Sequence, residues 1–263
     1  MTRKAHPTDL TDEQWERVEP LLPKPKSGTA RGGRPAADTG QVLDAISHLL
    51  RGGQGRRMLP HDSPPWQTGY TRFRLWRPAG VWDRVHATLR AAVRVAVGHP
   101  PAPETLRVDR QTVKTTHRGG PRGCDGGGKV NGRKRVIAAD ALGLVWALLV
   151  TPASDRHRDA GRWRLGAARG WLPRVREVIA DRGFRKRFQE YVRRVCRWTV
   201  TITAKAADGF KGQPRRWVVG RTFGWFVRYR RLMADDEDHP GTGEAMIQAA
   251  MTHRMLRRLH PTR

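Results

Sequence analysis

Apolar positions recur every three to four residues through roughly the first hundred positions and then change to strand-like alternation. The first helix starts at a capping box, with Thr11 as N-cap and Gln14 three residues on, and Leu10 and Trp15 as its hydrophobic staple. Trp15, Val18 and Leu22 form its apolar face, and Pro23 stops it. A basic Gly/Pro loop follows over 24–36. A second helix begins at Asp38, shows Val42, Ile46, Leu49 and Leu50, and ends at Gly52-Gly53. Beyond the Pro-rich stretch 59–66, a third helix is expected over Gly69–Trp76, interrupted at Pro78. A fourth spans Val81–Val97 and buries Trp82, Val85, Leu89 and Val93. The Pro-rich segment 98–105 reads as a linker, so residues 1–98 are expected to form an all-helical N-terminal domain.

From Thr105 onward strands dominate. Leu106–Val113 is the first, and Arg133–Ala141 with Leu144–Thr151 reads as a hairpin turning about Gly143. Then come a helix over Arg158–Arg169, a strand over Val175–Asp181, a helix over Lys186–Val195 and a β-branched strand over Trp198–Ala204. Helices over Arg215–Leu232 and Glu244–Leu259 complete the chain. The pattern predicts an α/β domain over 99–263, a mixed sheet flanked by helices. No internal repeat is present.

Charge changes this picture most. The chain carries 51 Lys+Arg against 24 Asp+Glu, a net charge of +27. A surplus that large opposes compaction unless a polyanion screens it, which points to nucleic acid; a generally adhesive basic protein is the bland alternative. The excess of arginine over lysine suits bidentate phosphate contacts, though nucleotide bias in the gene produces the same excess. The third helix mixes Arg72 and Arg74 with aromatics, a composition suited to a major groove. The connection from Gly52 to Trp66 is nevertheless too long for a simple helix-turn-helix, and the aromatics have core spacing. Two distant cysteines, Cys124 and Cys196, exclude a disulfide scaffold and a zinc finger. No apolar run reaches membrane-span length and no signal sequence opens the chain, so a cytoplasmic, nucleoid-associated protein is expected.

The candidate chemistry lies in two aspartates. Asp109 stands inside an apolar strand, where an unpaired carboxylate is costly. Asp181 ends the short strand Val178-Ile179-Ala180 before an Arg-Gly turn. As neighbours they would share a divalent cation; separately they would cap turns or pair with arginines. The run Gly123–Lys129 imitates a phosphate-binding loop, but Val130 stands where Ser or Thr would hold magnesium and no helix follows, so nucleoside triphosphate binding is rejected. The Gly- and Arg/Lys-rich stretch 117–135 reads instead as a mobile basic loop tracking DNA phosphates.

Several segments then converge on one family. LTDEQWERVEPLLP (10–23), GGRP (32–35), RMLPHDSPPW (57–66), RVDRQTVKTT (107–116), GGPRG (119–123), NGRKR (131–135), VTPAS (150–154), ADRGFR (180–185), RRWVVGRTFGW (215–225) and YRRL (229–232) follow one another in its order. The chain resembles bacterial insertion-sequence transposases of the DDE type over nearly its whole length. The resemblance implies a ribonuclease H-like catalytic domain with Asp109 and Asp181 as its first two catalytic, metal-binding acids. The third belongs on the helix just before Arg221-Thr222-Phe223, where the family pattern is similar to RRWVVERTF and this chain has Gly220.

An intact site of this type holds two Mg²⁺ or Mn²⁺ ions, one activating the attacking oxygen and one stabilising the leaving oxygen. Glycine removes a ligand from that scheme. Asp235, Asp236 and Glu237 lie ~22 Å further along if the helix continues, and Glu190 belongs to another helix, so replacement is not expected. Arg110 also departs from the small polar residue expected after the first aspartate. The resemblance implies double-stranded DNA, both element ends and target, as partner, and a homo-oligomer on it. Arg34, Arg72, Arg74, Lys114, Lys129, Arg133, Lys134, Arg216 and Arg228 are the expected DNA contacts; Arg216 and Arg228 equally suit a solvated helix face. The expected function is metal-dependent DNA cleavage and strand transfer, impaired at Gly220, with a catalytically inactive, sequence-specific DNA-binding protein as the alternative. A generic RNA-binding protein finds no aromatic RNP-like strand in its support.

Overall fold

The structure, a computed structural model, describes residues 4–24, 36–117, 120–203 and 217–261. Four helices come first: α1 (Asp12–Val18), α2 (Thr39–Gly52), α3 (Trp66–Trp76) and α4 (Val81–Ala96). The expected caps form. Thr11 and Gln14 make the reciprocal capping box of α1, and Asp38 accepts the Gln41 N–H at the start of α2. Gly53 ends α2 in the left-handed conformation. Helix α3 begins at Trp66 rather than Gly69, directly after Pro65, which stands at the N-cap position with extended ψ and makes no side-chain cap.

Six strands build one sheet: β1 (Thr105–Lys114), β2 (Gly123–Asp125), β3 (Val130–Ala139), β4 (Val145–Pro152), β5 (Glu177–Ala180) and β6 (Thr199–Ile202). Strand β3 pairs antiparallel with β1 on one edge and β4 on the other, and β2 adds a short ladder to its first residues. Strands β5 and β6 then extend the sheet parallel to β1. An antiparallel meander continued by two parallel strands is the ribonuclease H-like arrangement. Helices α5 (His157–Ala168), α6 (Arg187–Tyr191), α7 (Trp217–Val227) and α8 (Pro240–Leu259) cover it.

Strand alternation divides the core in two. Leu106, Val108, Val136, Ala138, Val178 and Ala180 pack on one face with Leu165 of α5 and Phe184 and Phe188 around α6. On the other face Ile137, Leu148 and Val150 join Val219, Phe223 and Phe226 of α7 and Ile247 and Ala250 of α8. The N-terminal helices belong to this second cluster through Val42, Leu50, Trp82 and Leu89.

Two stretches correct the sequence reading. Residues 123–125 and 130–132 form a ladder across a turn, not a free loop: Gly123 pairs with Gly132 and Asp125 with Val130. On its other side Gly132 lets β3 lie close against β1, since a Cβ there would lie 2.0 Å from the Val113 carbonyl oxygen. The predicted helix over Arg215–Leu232 stops at Val227, and the chain turns through a 3₁₀ segment at Arg230–Leu232. Burial of Arg133 and Arg135 explains that turn. Arg135 donates to the Leu232 carbonyl at 2.7 Å and Arg133 pairs with Asp235 at 2.9 Å, drawing the segment back beside β1.

Candidate active site and its DNA-facing surface

The β1–β5 register sets Val108 beside Ala180, so the next residues, Asp109 and Asp181, sit side by side where β5 ends. Their α-carbons are therefore separated by about one interstrand spacing, ~5 Å. Asp109 pairs in register with Ile137, which packs with α7, whereas Val108 and Ala180 face α5 and α6. Alternation thus turns both aspartates to the α7 face of the sheet. Each is half-buried and each carboxylate is held by a backbone amide. Arg110 N–H donates to Asp109 Oδ1 at 2.8 Å, and Gly183 N–H donates to Asp181 Oδ1 at 2.8 Å. The second bond caps the 3₁₀ turn Arg182–Phe184. The turn-capping role weighed for a strand-end aspartate is therefore real, and it coexists with the pairing.

Helix α7 lies against β1 and β3. Val219, Phe223 and Phe226 anchor it in the core. Thr222 Oγ1 donates to the Gly143 carbonyl at 3.1 Å, and Gly143 (φ +77°) would place a Cβ 2.7 Å from the Trp225 ring. Gly220 is exposed on this helix, and a Cβ built there meets no atom within 4 Å. A larger side chain at 220 is sterically free.

No described acid stands in for the missing one. Asp235 pairs with Arg133, Asp236 with Arg231 at 3.1 Å, and Glu237 with both Arg231 at 2.7 Å and Arg56 at 2.6 Å. Glu190 is exposed on α6, across the sheet from α7. Among the described residues no group of three or more His, Cys, Asp or Glu could hold a metal ion. Magnesium commonly keeps several waters and binds through one or two carboxylates. The adjoining aspartates therefore suit one such ion, and the donors for two are incomplete.

The expected DNA contacts divide. Arg74, Lys114, Lys129 and Arg228 are exposed and Arg72 is partly so. Arg34 and Arg216 lie outside the described residues. Arg133 and Lys134 require correction, because both are buried and spent on internal partners. Arg133 is fully buried against Asp235 and the Glu237 and Asp238 carbonyls. Lys134 Nζ donates to the Ala153 and Asp155 carbonyls at 2.7 and 2.9 Å, and burial lowers its pKa. Strand alternation carries neither to solvent: the 235–238 segment closes over Arg133, and the turn at 153–155 takes up Lys134.

Asp125, not singled out from sequence, anchors the opposite face. It accepts from Thr112 Oγ1 at 2.6 Å and Arg110 at 2.9 Å. The Thr112 hydrogen bond, with Lys134 and Arg110 nearby, holds its carboxyl down to about 2 despite burial. Arg110, a departure from the family pattern, thus has a structural partner.

A family model for the transposase DDE domain matches residues 100–253. The chain belongs to the DDE transposases. A second model, for a domain of unknown function assigned to transposases of the IS4/5 family, matches residues 10–86. Over 90 residues the chain is 38% identical to the "Insertion element IS402 uncharacterized 16.2 kDa protein" of Burkholderia cepacia. That alignment covers 33% of this chain and 61% of the relative, so the chain spans less than two thirds of that protein. Both models describe transposases, and the one for the DDE domain alone spans more than half of the chain. Among the described residues no helix is long and apolar enough to cross a membrane.

Proposed function

We propose that this DDE transposase carries the cleavage and strand-transfer centre of an insertion sequence at Asp109 and Asp181, and that Gly220 impairs it. One observation carries the reading: two aspartates from separate strands adjoin in register on the sheet face that α7 covers. Asp109 and Asp181 would hold a Mg²⁺ or Mn²⁺ ion, which when bound polarises a phosphodiester and lowers the pKa of an attacking hydroxyl. The chain's own contribution is orientation. The Arg110 and Gly183 amides fix one oxygen of each carboxylate before any ligand arrives. Substrate is double-stranded DNA, both element ends and target, bound as a homo-oligomer. Residues 1–98 are its DNA-holding domain and 99–263 its catalytic domain. Arg72, Arg74, Lys114, Lys129 and Arg228 are its phosphate contacts, with Arg34 and Arg216 carried from the sequence.

The vacancy at 220 favours a second reading, a sequence-specific DNA-binding protein without cleavage, and one experiment separates the two. A supercoiled plasmid carrying the sequences that flank this gene is incubated with Mg²⁺ or Mn²⁺ and each of three chains: unaltered, Gly220→Ala and Gly220→Glu. Negligible nicking is expected from the first two and measurable nicking from the third. Alanine restores helix propensity, worth about 1 kcal/mol, without restoring a ligand. Robust nicking by the unaltered chain would remove the impairment. Inactivity of all three, with DNA binding intact, favours the binding protein.

A further inference from the structure

Strand β1 carries one more polar group on the face of the two aspartates. Residues 107–114 pair with β3 without a register shift, so Asp109 and Gln111 turn to the same side, opposite Ile137 and Arg135 of β3. That side is the one α7 covers: Ile137 packs with α7, and Arg135 donates to the Leu232 and Ala234 carbonyls just beyond it. The residues between follow the alternation, since Arg110 and Thr112 both reach Asp125 on the opposite face. Along its other edge β1 pairs with β5 as far as Val108, opposite Ala180, and next bridges Asp235 at Thr115. The Glu104 and Lys114 carbonyls, an even number of residues apart, share that edge, accepting from Glu177 at 3.2 Å and Asp235 at 2.8 Å. Gln111 stands in the gap between, which no strand fills among the described residues. It is half-buried, and its Oε1 is itself buried and accepts no hydrogen bond.

A buried acceptor without a donor costs stability until something fills it. Hard divalent cations take oxygen ligands, neutral amide carbonyls as well as carboxylates. We propose that Gln111 Oε1 is a third protein ligand of the divalent ion held by Asp109 and Asp181. The inference rests on the transposase reading above. Same-face neighbours on a strand have α-carbons ~7 Å apart, and strand side chains lean along the strand direction. A glutamine beside Asp109 thus has the length to bring its oxygen to an ion on that carboxylate. The amide adds a donor but no charge, so it does not replace the carboxylate lost at 220. It gives one ion three protein oxygens, the rest of its shell being water. The competing use is structural: Arg135 Nε, buried and without a partner on the adjoining strand, would share a bridging water with Gln111. Sequence reasoning passed over Gln111 because it sought acids; the signal was its spacing of two from Asp109 within a strand.

The test titrates Mn²⁺ alone into the full chain, following the loss of the free-ion electron paramagnetic resonance signal, and needs no cleavage. Four chains are compared: unaltered, Gln111→Met, Gln111→Glu and Asp181→Asn, the last keeping an oxygen for the Gly183 amide. Thermal unfolding without metal first establishes that each is folded. Gln111→Met fills the same space without the oxygen. Its metal-free midpoint should equal or exceed that of the unaltered chain, because an orphaned acceptor is gone. Its Mn²⁺ affinity should fall about tenfold, and Gln111→Glu should raise affinity by about as much through an added ligand charge. Gln111→Glu decides the question if Gln111→Met does not fold. Unchanged Mn²⁺ affinity in Gln111→Met, or no tightening in Gln111→Glu, overturns the proposal. A lowered metal-free midpoint with unchanged Mn²⁺ binding also overturns it and assigns Gln111 to Arg135. If Asp181→Asn abolishes binding while the Gln111 variants bind as the unaltered chain does, the ligand fails and the transposase reading stands. If the unaltered chain binds no Mn²⁺, or Asp181→Asn binds it equally well, both fail.

Discussion

Replacing Asp235 with asparagine should destabilise the fold by about 3 kcal/mol without touching metal dependence. Arg133 and Asp235 are 0% and 1% exposed at their side chains and 2.9 Å apart. Removing one partner of such a pair typically costs 3–5 kcal/mol, because the other is left as a buried, uncompensated charge. Two features favour the lower end. Arg133 keeps the Pro121, Glu237 and Asp238 carbonyls. Burial also pushes the Asp235 carboxyl up in pKa although Arg133 and Arg135 oppose it, so the ionised aspartate was itself penalised. Asparagine retains an oxygen for Arg133 and sets its amide at Oδ2, which accepts no hydrogen bond. For a chain of this size 3 kcal/mol is about 6–12 °C in midpoint. Urea unfolding followed by tryptophan fluorescence measures the loss. The double variant Arg133→Met/Asp235→Leu should cost less than the two single changes added, since no charge is stranded. A loss below about 1 kcal/mol, or strict additivity, would refute the ion-pair argument. A changed Mn²⁺ requirement in the Gly220→Glu background would instead make Asp235 a ligand.

Two further perturbations follow from the same packing. Burial, with Arg257 and Arg51 adding to it, lowers His253 to about 4, and burial holds His86 well below its usual range. The unfolded chain therefore takes up these protons first. Stability should be complete above about pH 6.5 and fall as pH drops toward 4, His253 alone contributing on the order of 3 kcal/mol; a urea midpoint unchanged between pH 7 and 4.5 would contradict this. Gly143→Ala combines a left-handed backbone, φ +77°, with a 2.7 Å clash at Trp225. A loss of about 2–3 kcal/mol is expected by urea titration, and a neutral result would mean that α7 is not seated on this turn.

The elements readable from sequence were those whose signals are local. The capping box at Thr11, the Asp38 cap and the Gly53 terminator act within one helical turn, and each forms as read. Asp109 and Asp181 were legible as candidates because a carboxylate in an apolar strand is conspicuous. Their adjacency was not legible, since it depends on a parallel pairing that joins residues some seventy apart. The misreadings share that cause. Arg133 and Lys134 look like surface charge until tertiary ion pairing and carbonyl contacts bury them. The helix through Gly220 looks continuous to Leu232 because nothing local stops it; buried Arg133 and Arg135 do, from a strand a hundred residues earlier.

The helical N-terminus and the sheet share one apolar cluster, which bears on how the proposed site works. Leu50, Trp82 and Leu89 pack in the same cluster as Phe226 and Ile247, and Arg56 reaches Glu237 across the junction. A DNA strand gripped by these helices would thus be held in a fixed register to Asp109 and Asp181. Gly220 stands apart from this cluster: it is exposed, and a Cβ there touches nothing. The proposed third carboxylate can therefore be lost without a cavity or a stranded ion pair, at a cost of about 1 kcal/mol or less in helix propensity. Loss of Asp181 would also remove the cap of a turn, and loss of Asp109 a bond to the Arg110 amide inside β1. Of the three positions, 220 is the one at which chemistry can disappear while the fold retains nearly all its stability.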